Sequence, residues 1–327
     1  MKGKFINEKL LVLLLLIAFV FVLIAGKNND KKIAARNAKY ISEYEEVQVS
    51  YNLPRISCWG DSLTVGIGGD GITYPDVLSE MSKLEVNNYG VSWEGAWKIA
   101  IRQGAVPVYV KNVTIPKDDS TVKISLVTDD GDEIVLGKNG YAGINPCIIG
   151  GVEGTITYNK KDGKNYFKRS DSGEQIKITE KTQLITKSMQ DKDENDILVI
   201  FIGSYNTPDS KSIKNVIKYQ KKMIEYANTD KYVVIGMTSK SYMDEVEEVN
   251  EILAKEYGDN FLDIREYMLK NGLKDANIKA TDEDLEDIEN GEIPSSLRSD
   301  DIHGNSSFYT ILGEQVYKKL IDLGYIS

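Results

Sequence analysis

Two short stretches, far apart in the chain, carry residue types suited to nucleophilic chemistry. Ser62 follows an apolar run that ends in Gly-Asp, and His303 is the only histidine among the 327 residues, with Asp300 three positions before it. A serine hydroxyl becomes a strong nucleophile when a base takes its proton, and histidine is the usual base. A carboxylate beside the imidazole can orient it and stabilise its protonated form. The three residues are therefore a candidate catalytic set for acyl transfer, with Asp301 as the alternative carboxylate.

The Gly-Asp-Ser sequence also has a purely structural interpretation. Asp and Ser after Gly suit the start of a helix, where a side-chain oxygen accepts a backbone N–H. Without partners elsewhere in the chain, Ser62 would be such a turn or cap residue. His303 and Asp300 supply those partners and favour catalysis.

The cysteine and histidine counts restrict the other chemistries. The chain has two cysteines, Cys58 and Cys147, and one histidine. This composition excludes a zinc cluster of Cys and His ligands and a framework of several disulfides. A single disulfide between the two cysteines is compatible with it. We expect no metal and no cofactor.

The segments around Ser62 alternate between short apolar runs and amphipathic stretches. The runs typical of buried strands are RISCWG, LEVNNYG, DILVIFIGSYN, KYVVIGMTS and NFLDI. Strands separated by helices predict an α/β fold with a three-layer, doubly wound parallel sheet. Ligands of such sheets bind at the carboxyl ends of the strands. Ser62, Gly90 and Asn206 each follow a predicted strand end, so we expect them to converge.

Residues 105–189 have a different sequence pattern. Alternating runs such as VPVYVKNVTI, TVKISLVT and GTITYN are separated by turn signals such as DDGD and KKDGKN. This pattern predicts short antiparallel strands. We interpret the segment as a small all-β domain, a barrel or sandwich, inserted into an α/β domain formed by residues 53–104 and 190–327.

The N-terminal region differs from the rest of the chain. Residues 1–26 contain the uncharged run Leu10–Gly26, which lysines precede. This arrangement predicts a single-pass transmembrane anchor with the bulk of the chain outside the cytoplasmic membrane. A cleaved signal sequence, giving a secreted protein, is the alternative. Residues 27–52 are polar and charged, and we interpret them as a stalk.

The charge balance restricts the partners. The formal net charge is -10, with 41% hydrophobic and 28% charged residues. The composition is that of a globular protein. A nucleic-acid binder needs a basic surface to neutralise phosphates, so we expect no nucleic-acid partner.

Four motifs in order resemble one known family. They are Gly60-Asp61-Ser62-Leu63 after the first strand, Gly90 after the second, IGSYN after the third, and Asp300-x-x-His303 before the last helix. Over residues 56–327 this order resembles the SGNH (GDSL) hydrolase superfamily, with the β-rich segment as an insertion into its flavodoxin-like sheet.

The resemblance implies roles for individual residues. Ser62 would attack an acyl carbonyl, His303 would act as general base and then general acid, and Asp300 would orient His303. The oxyanion would be held by the backbone N–H groups of Ser62 and Gly90 and by an asparagine side chain.

The third motif departs from the family pattern. The family has Gly-x-Asn-Asp where this chain has Gly203-Ser204-Tyr205-Asn206. Asn206, one position late, is the expected oxyanion donor. The Tyr205 hydroxyl is an alternative, and so is a site without a third donor.

These observations predict an extracytoplasmic serine esterase that works through an acyl-enzyme on Ser62. From location and family analogy we expect it to remove an acyl group, acetyl, from a carbohydrate of the cell envelope. The alternatives are an O-acyltransferase with the same triad, a lipid esterase or thioesterase, and a non-catalytic surface binding protein that uses the β-rich segment.

Two further patterns carry mainly structural expectations. Trp93 and Trp97 stand four residues apart in a predicted helix, which is typical of a buried helix face. The alternative is that one of them lines the acyl pocket. The acidic stretch TDEDLEDIENGEIP, from Thr281, is expected to be a solvated loop or cap without a function.

Overall fold

The apolar run before Ser62 forms a buried strand at the start of an α/β unit. The computed structural model describes residues 53–204, 212–239 and 245–327. The predicted anchor at 1–26, the stalk at 27–52, and Tyr205 and Asn206 lie outside these ranges. Within these ranges, none of the helices combines the length and the apolar character needed to cross a bilayer.

The first part of the unit follows the predicted alternation of strands and helices. Its elements are β1 Ile56–Gly60, α1 Ser62–Val65, α2 Tyr74–Ser82, β2 Val86–Gly90 and α3 Ala96–Gln103. Every β1 residue is buried, as expected for a central strand that is covered on both faces.

The segment that follows α3 consists of short strands, as predicted. They are β3 Tyr109–Val110, β4 Val113–Ile115, β5 Val122–Ile124, β6 Leu126–Val127, β7 Glu133–Ile134, β8 Cys147–Ile149, β9 Val152–Asn159, β10 Lys164–Arg169, β11 Ile176–Ile178 and β12 Thr182–Ile185. They pair antiparallel in an eight-stranded sheet of order β5-β10-β9-β8-β12-β3-β6-β7 and in the pair β11-β4.

The inner face of this second sheet packs on the helix α3. Residues of β9 alternate between buried and exposed, and Ile156 and Phe167 share one apolar cluster with Ile101 of α3. Pro54–Ser327 groups as one compact unit. The status of residues 105–189 as a domain of their own remains a prediction.

The alternation of helix and strand resumes after the second sheet. The elements are α4 Lys187–Gln190, β13 Ile197–Phe201, α5 Ile213–Ala227, β14 Tyr232–Ile235, α6 Val246–Tyr257, β15 Phe261–Leu262, α7 Ile264–Tyr267, α8 Leu273–Asp275, α9 Asp282–Glu289 and α10 Ser306–Asp322. Single turns of other helix types lie at Gly258–Asn260, Met268–Gly272 and Ser295–Leu297.

The predicted parallel sheet is present and has helices on both faces. Its order is β2-β1-β13-β14-β15, and all neighbours are parallel. Successive strand residues point to opposite faces. Cys58 and Val199 accordingly pack with α2 and α10, whereas Trp59 and Ile200 pack with α3, α5 and α6. The α/β unit is therefore a three-layer structure.

The strand order places a crevice beside Ser62. β1 and β13 are neighbours at the centre of the sheet. β2 lies on the far side of β1, and β14 and β15 lie on the far side of β13. Ligands of open α/β sheets bind at the carboxyl ends of strands where the order reverses. That point lies between β1, which Ser62 follows, and β13, which Ser204 follows.

Candidate active site

Ser62 stands on a tight turn between β1 and α1. The Asp61 side chain accepts a hydrogen bond from the Leu63 N–H at 3.1 Å and caps α1. Gly60 makes the turn possible, because a Cβ at this position would lie 2.6 Å from the Phe201 carbonyl oxygen. Asp61 is thus the cap residue, and the Ser62 hydroxyl has another partner.

That partner is His303. The Ser62 Oγ lies 2.8 Å from His303 Nε2, and His303 Nδ1 lies 2.8 Å from Asp300 Oδ2. Because the carboxylate accepts, Nδ1 carries the proton and Nε2 is left to accept from the Ser62 hydroxyl. The structure therefore brings together the three residues that the sequence singles out, across 241 positions of chain.

Asp300, not Asp301, faces the imidazole. Its Oδ1 also accepts from the backbone N–H groups of Ile302 at 2.8 Å and His303 at 2.7 Å. Partial burial acts to raise the pKa of the Asp300 carboxyl, but the hydrogen bonds from the His303 ring and from these two N–H groups outweigh it and lower that pKa. The carboxylate is therefore ionised at neutral pH and can stabilise a protonated imidazole.

The loop that carries Asp300 and His303 is pinned at both ends. Arg298 and Gly304 form an isolated antiparallel bridge, and the Ser299 N–H donates to the His303 carbonyl at 2.9 Å. Asn305 caps the start of α10 and donates to the Ser296 carbonyl at 2.8 Å. The position of the imidazole is thus fixed by backbone contacts on each side of it.

The acidic stretch from Thr281 anchors this loop, which corrects the expectation of a solvated segment without a role. It forms α9, and Asp284 within it is fully buried. The Asp284 carboxylate accepts from the N–H and the hydroxyl of both Thr281 and Ser296. Composition alone misses this residue, because its partners at Ser296 lie twelve positions away.

Asp284 gives a prediction for stability at acid pH. Burial acts to raise the pKa of its carboxyl, but the hydrogen bonds from Ser296 and Thr281 outweigh it and lower that pKa to about 2. Because the pKa of this carboxyl is lower in the folded state than in the unfolded state, its ionised form stabilises the fold at pH values above the ordinary pKa of about 4. This contribution to the free energy of unfolding, about 2 kcal/mol, is lost as the pH falls towards 2. Asp284→Asn should lower the free energy of unfolding by about that amount at pH 7 and by much less at pH 2.

Urea unfolding followed by circular dichroism at both pH values measures this difference. The exposed neighbour Asp282 is the matched control, and Asp282→Asn should change the free energy of unfolding by under about 0.5 kcal/mol. An equal loss for Asp284→Asn at pH 7 and pH 2 would mean that the carboxylate charge does not act as described.

A cleft opens beside the hydroxyl of Ser62. Its volume is about 140 Å³. The residues that line it follow the ends of β1, β2 and β13 or lie on the His303 loop: Asp61, Ser62, Ile67, Ser92, Trp93, Ser204, Ile302 and His303. The cleft is therefore wide enough for a small acyl group and lies where the switch point of the sheet predicts a ligand.

Trp93 is not a core residue, contrary to the helical pattern. Helix α3 begins only at Ala96, so Trp93 lies in the loop before it, with 61% of its surface exposed. Trp97 does lie on α3 and packs partly buried against the cluster of the second sheet. The sequence pattern therefore predicts a helix that is about one turn longer than the observed one, because tertiary contacts hold the residues before Ala96 in a loop.

Gly90 lies at the carboxyl end of β2, as predicted, but its N–H is engaged. It donates to Asn88 Oδ1 at 2.9 Å. A Cβ at Gly90 would lie 2.8 Å from the Thr64 carbonyl carbon, so glycine is needed for close packing of β2 on α1. The role of its N–H in an oxyanion hole remains a prediction, and an oxyanion would compete with Asn88 for it.

The third motif contributes Ser204, which the sequence analysis did not single out. Its side chain is 9% exposed and lines the cleft, and among the described residues its buried Oγ has no hydrogen-bond partner. The signal that could have found it is its position after β13, at the switch point. Asn206 and Tyr205 lie outside the described residues, so their roles remain predictions.

The cysteines take no part in the cleft. Cys58 and Cys147 are free and buried, so the single bridge that the sequence leaves open is not formed. Burial raises the pKa of each thiol to about 12, which keeps both protonated and unreactive. Over the described ranges, no group of three or more His, Cys, Asp or Glu side chains is arranged to hold a metal ion.

Comparisons with known proteins give one likeness of structure. No protein-family model matches the chain, and no curated protein does either. A solved structure that is similar to it is that of a "putative lipolytic protein of G-D-S-L family" from Desulfitobacterium hafniense DCB-2, at 14% identity and a TM-score of 0.42, over 81% of this chain and 99% of that one.

Proposed function

We propose that this protein is a serine esterase that acts on carboxylic esters through an acyl-enzyme on Ser62. The observation that carries the proposal is the 2.8 Å contact between Ser62 Oγ and His303 Nε2, in a cleft that a small acyl group can enter. A serine beside a base that is itself oriented by a carboxylate is the arrangement that activates a hydroxyl for attack.

The reaction has two halves. In the first, the Ser62 oxygen bonds to the acyl carbon while His303 Nε2 takes the hydroxyl proton, and Asp300 stabilises the imidazolium. The tetrahedral intermediate collapses, His303 gives the proton to the leaving alcohol oxygen, and the acyl-enzyme remains. In the second half, His303 takes a proton from water, whose oxygen attacks the same carbon. The bond between this carbon and the Ser62 oxygen then breaks, His303 returns the proton to that oxygen, and the acid is released.

The negative charge of the tetrahedral intermediate needs hydrogen-bond donors. Ser62 is the first residue of α1, where a backbone N–H has no partner within the helix. We propose this N–H as one donor, with the Gly90 N–H and the Asn206 side chain as the others. Each such donor typically contributes ~10²–10³ in rate.

For the substrate we propose an acetyl ester of a cell-envelope carbohydrate. The apolar run Leu10–Gly26 supports a location outside the cytoplasmic membrane, and the cleft of about 140 Å³ has room for an acetyl group. The leaving alcohol would then be a sugar hydroxyl.

Acetate release tests this substrate class. The purified protein should release acetate from a per-acetylated methyl glucoside at least ~10-fold faster than it releases butyrate from the butyrylated analogue, because one extra methylene at a site fitted to a shorter chain costs about 1–3 kcal/mol. The Ser62→Ala variant is the background control. Equal rates for the two esters would refute the proposed acyl group, and transfer of acetyl to an added alcohol in preference to water would assign the protein as an acyltransferase.

A further inference from the structure

We propose that Trp93 determines specificity by contacting the alcohol part of the ester, a ring with one apolar face such as a pyranose. This inference rests on the proposed function, since it concerns the substrate of the same site. Two properties of Trp93 support it, namely its exposure and its backbone conformation.

The first property is exposure. Trp93 is a large aromatic residue with 61% of its surface in contact with solvent. It lines the same cleft as Ser62 and His303. An exposed tryptophan beside a nucleophile presents a large apolar surface to a ligand.

The second property is backbone conformation. Trp93 has a φ of 63°, in the left-handed region that bulky residues rarely occupy. Glycine would adopt this φ without strain. Residues kept in such conformations cluster at binding and active sites, where the side chain justifies the strain.

The loop around Trp93 is held firmly enough to maintain this conformation. The next residue, Glu94, is buried and pairs with Arg102 at 2.6 Å. On the other side, Val91 is buried and packs beside Gly140 of the second sheet's segment. Asn139 of the same segment donates to the Trp93 carbonyl at 3.5 Å. The segment between α3 and β13 thus helps to set the position of the indole.

The position of the indole favours the alcohol side of the ester over the acyl side. The acyl carbon must lie within bonding reach of the Ser62 oxygen, so the acyl group occupies the cleft of about 140 Å³ whose lining includes Ile67 and Ile302. Trp93 also lines this cleft, but 61% of its surface is exposed, so its indole can contact the part of the substrate that extends towards solvent. A sugar ring has C–H groups on one face that pack on an aromatic surface, and hydroxyls elsewhere that remain in water.

Replacing Trp93 by glycine removes the indole and relieves the backbone strain at once. Trp93→Gly should lower kcat/KM for per-acetylated methyl glucoside about 10-fold or more, mainly through KM. Ethyl acetate has no ring, so the fall in its kcat/KM should be at least about 5-fold smaller than the fall for the sugar ester. The midpoint of thermal unfolding should not fall, because glycine accepts this φ. Trp93→Phe, which keeps an aromatic face, should retain most of the activity on the sugar ester.

The outcomes separate this inference from the proposed function. Labelling of Ser62 by a fluorophosphonate does not need a sugar, so a wild-type protein that fails to label overturns the proposed function itself. A protein that labels, but whose Trp93→Gly variant loses activity equally on both esters or unfolds at lower temperature, overturns the role of Trp93. A loss confined to longer acyl chains would assign the indole to the acyl side and overturn it as well.

Discussion

Replacing His303 with alanine should lower kcat for hydrolysis of an aryl acetate by about 10⁴- to 10⁶-fold. The chain contains no second histidine, so no other imidazole can take the proton from the Ser62 hydroxyl at 2.8 Å. Ser62→Ala should lose as much, and the double variant should lose little more than either single one, because the two residues act as a unit.

The two neighbouring carboxylates supply a matched comparison for the same assay. Asp300 contacts the imidazole with its side chain, whereas Asp301 accepts from the Ser239 hydroxyl with its backbone carbonyl. Asp300→Asn should cost about 10⁴-fold, because an amide favours the wrong tautomer of His303. Asp301→Asn should cost less than about 10-fold. Near-wild-type activity in His303→Ala would refute the role of the imidazole.

Replacing Arg102 with methionine should lower the free energy of unfolding by about 3–5 kcal/mol. Arg102 is fully buried, and its Nε donates to Glu94 at 2.6 Å. Its Nη1 also donates to the Ala142 carbonyl at 2.8 Å. Burial lowers the pKa of the Arg102 guanidinium, and Glu94 opposes that shift. Methionine would leave the Glu94 carboxylate buried without its counter-charge, which is the costly case.

Urea unfolding of three variants tests this account of Arg102. The double variant Glu94→Gln with Arg102→Met should recover part of the loss, because no lone charge stays buried. The exposed pair of Lys168 and Asp119, at 46% and 70% exposure, is the control. Lys168→Met should cost under about 1 kcal/mol. A loss for Arg102→Met as small as that of Lys168→Met would show that the buried pair does not hold the loop.

The sequence predicts those parts of the fold and the site that are marked by a local pattern, such as an apolar run, or by a rare residue type. The strands β1 and β13 are continuous apolar runs because both faces of a central strand are buried. His303 stands out because it is the only histidine, and the Asp300 spacing identifies a carboxylate on the same short loop. The strand ends then predict that Ser62 lies at one edge of the sheet.

The parts that do not follow from sequence depend on contacts between distant residues. The positive φ of Trp93 is not a preference of tryptophan, and the loop that keeps it is held by Arg102 and Asn139. Asp284 lies in an acidic stretch that local composition assigns to solvent, but Ser296 donates two hydrogen bonds to its carboxylate. These contacts form only in the tertiary structure, so the local sequence pattern does not predict them.

Gly90 shows how one residue type fits two explanations. A glycine at a strand end suits a close backbone approach to a ligand, and it equally suits close packing of elements. The sequence favours the first explanation through the order of the motifs. The contacts of Gly90 with Thr64 and Asn88 supply the second.

The central claim is that Ser62 is a nucleophile activated by His303, and covalent labelling tests it most directly. A fluorophosphonate should modify the wild-type protein once, on the peptide that contains Ser62, as located by mass spectrometry. Ser62→Ala should not react, and His303→Ala should react far more slowly. Absence of label on the wild type, or label on a residue other than Ser62, would contradict the account.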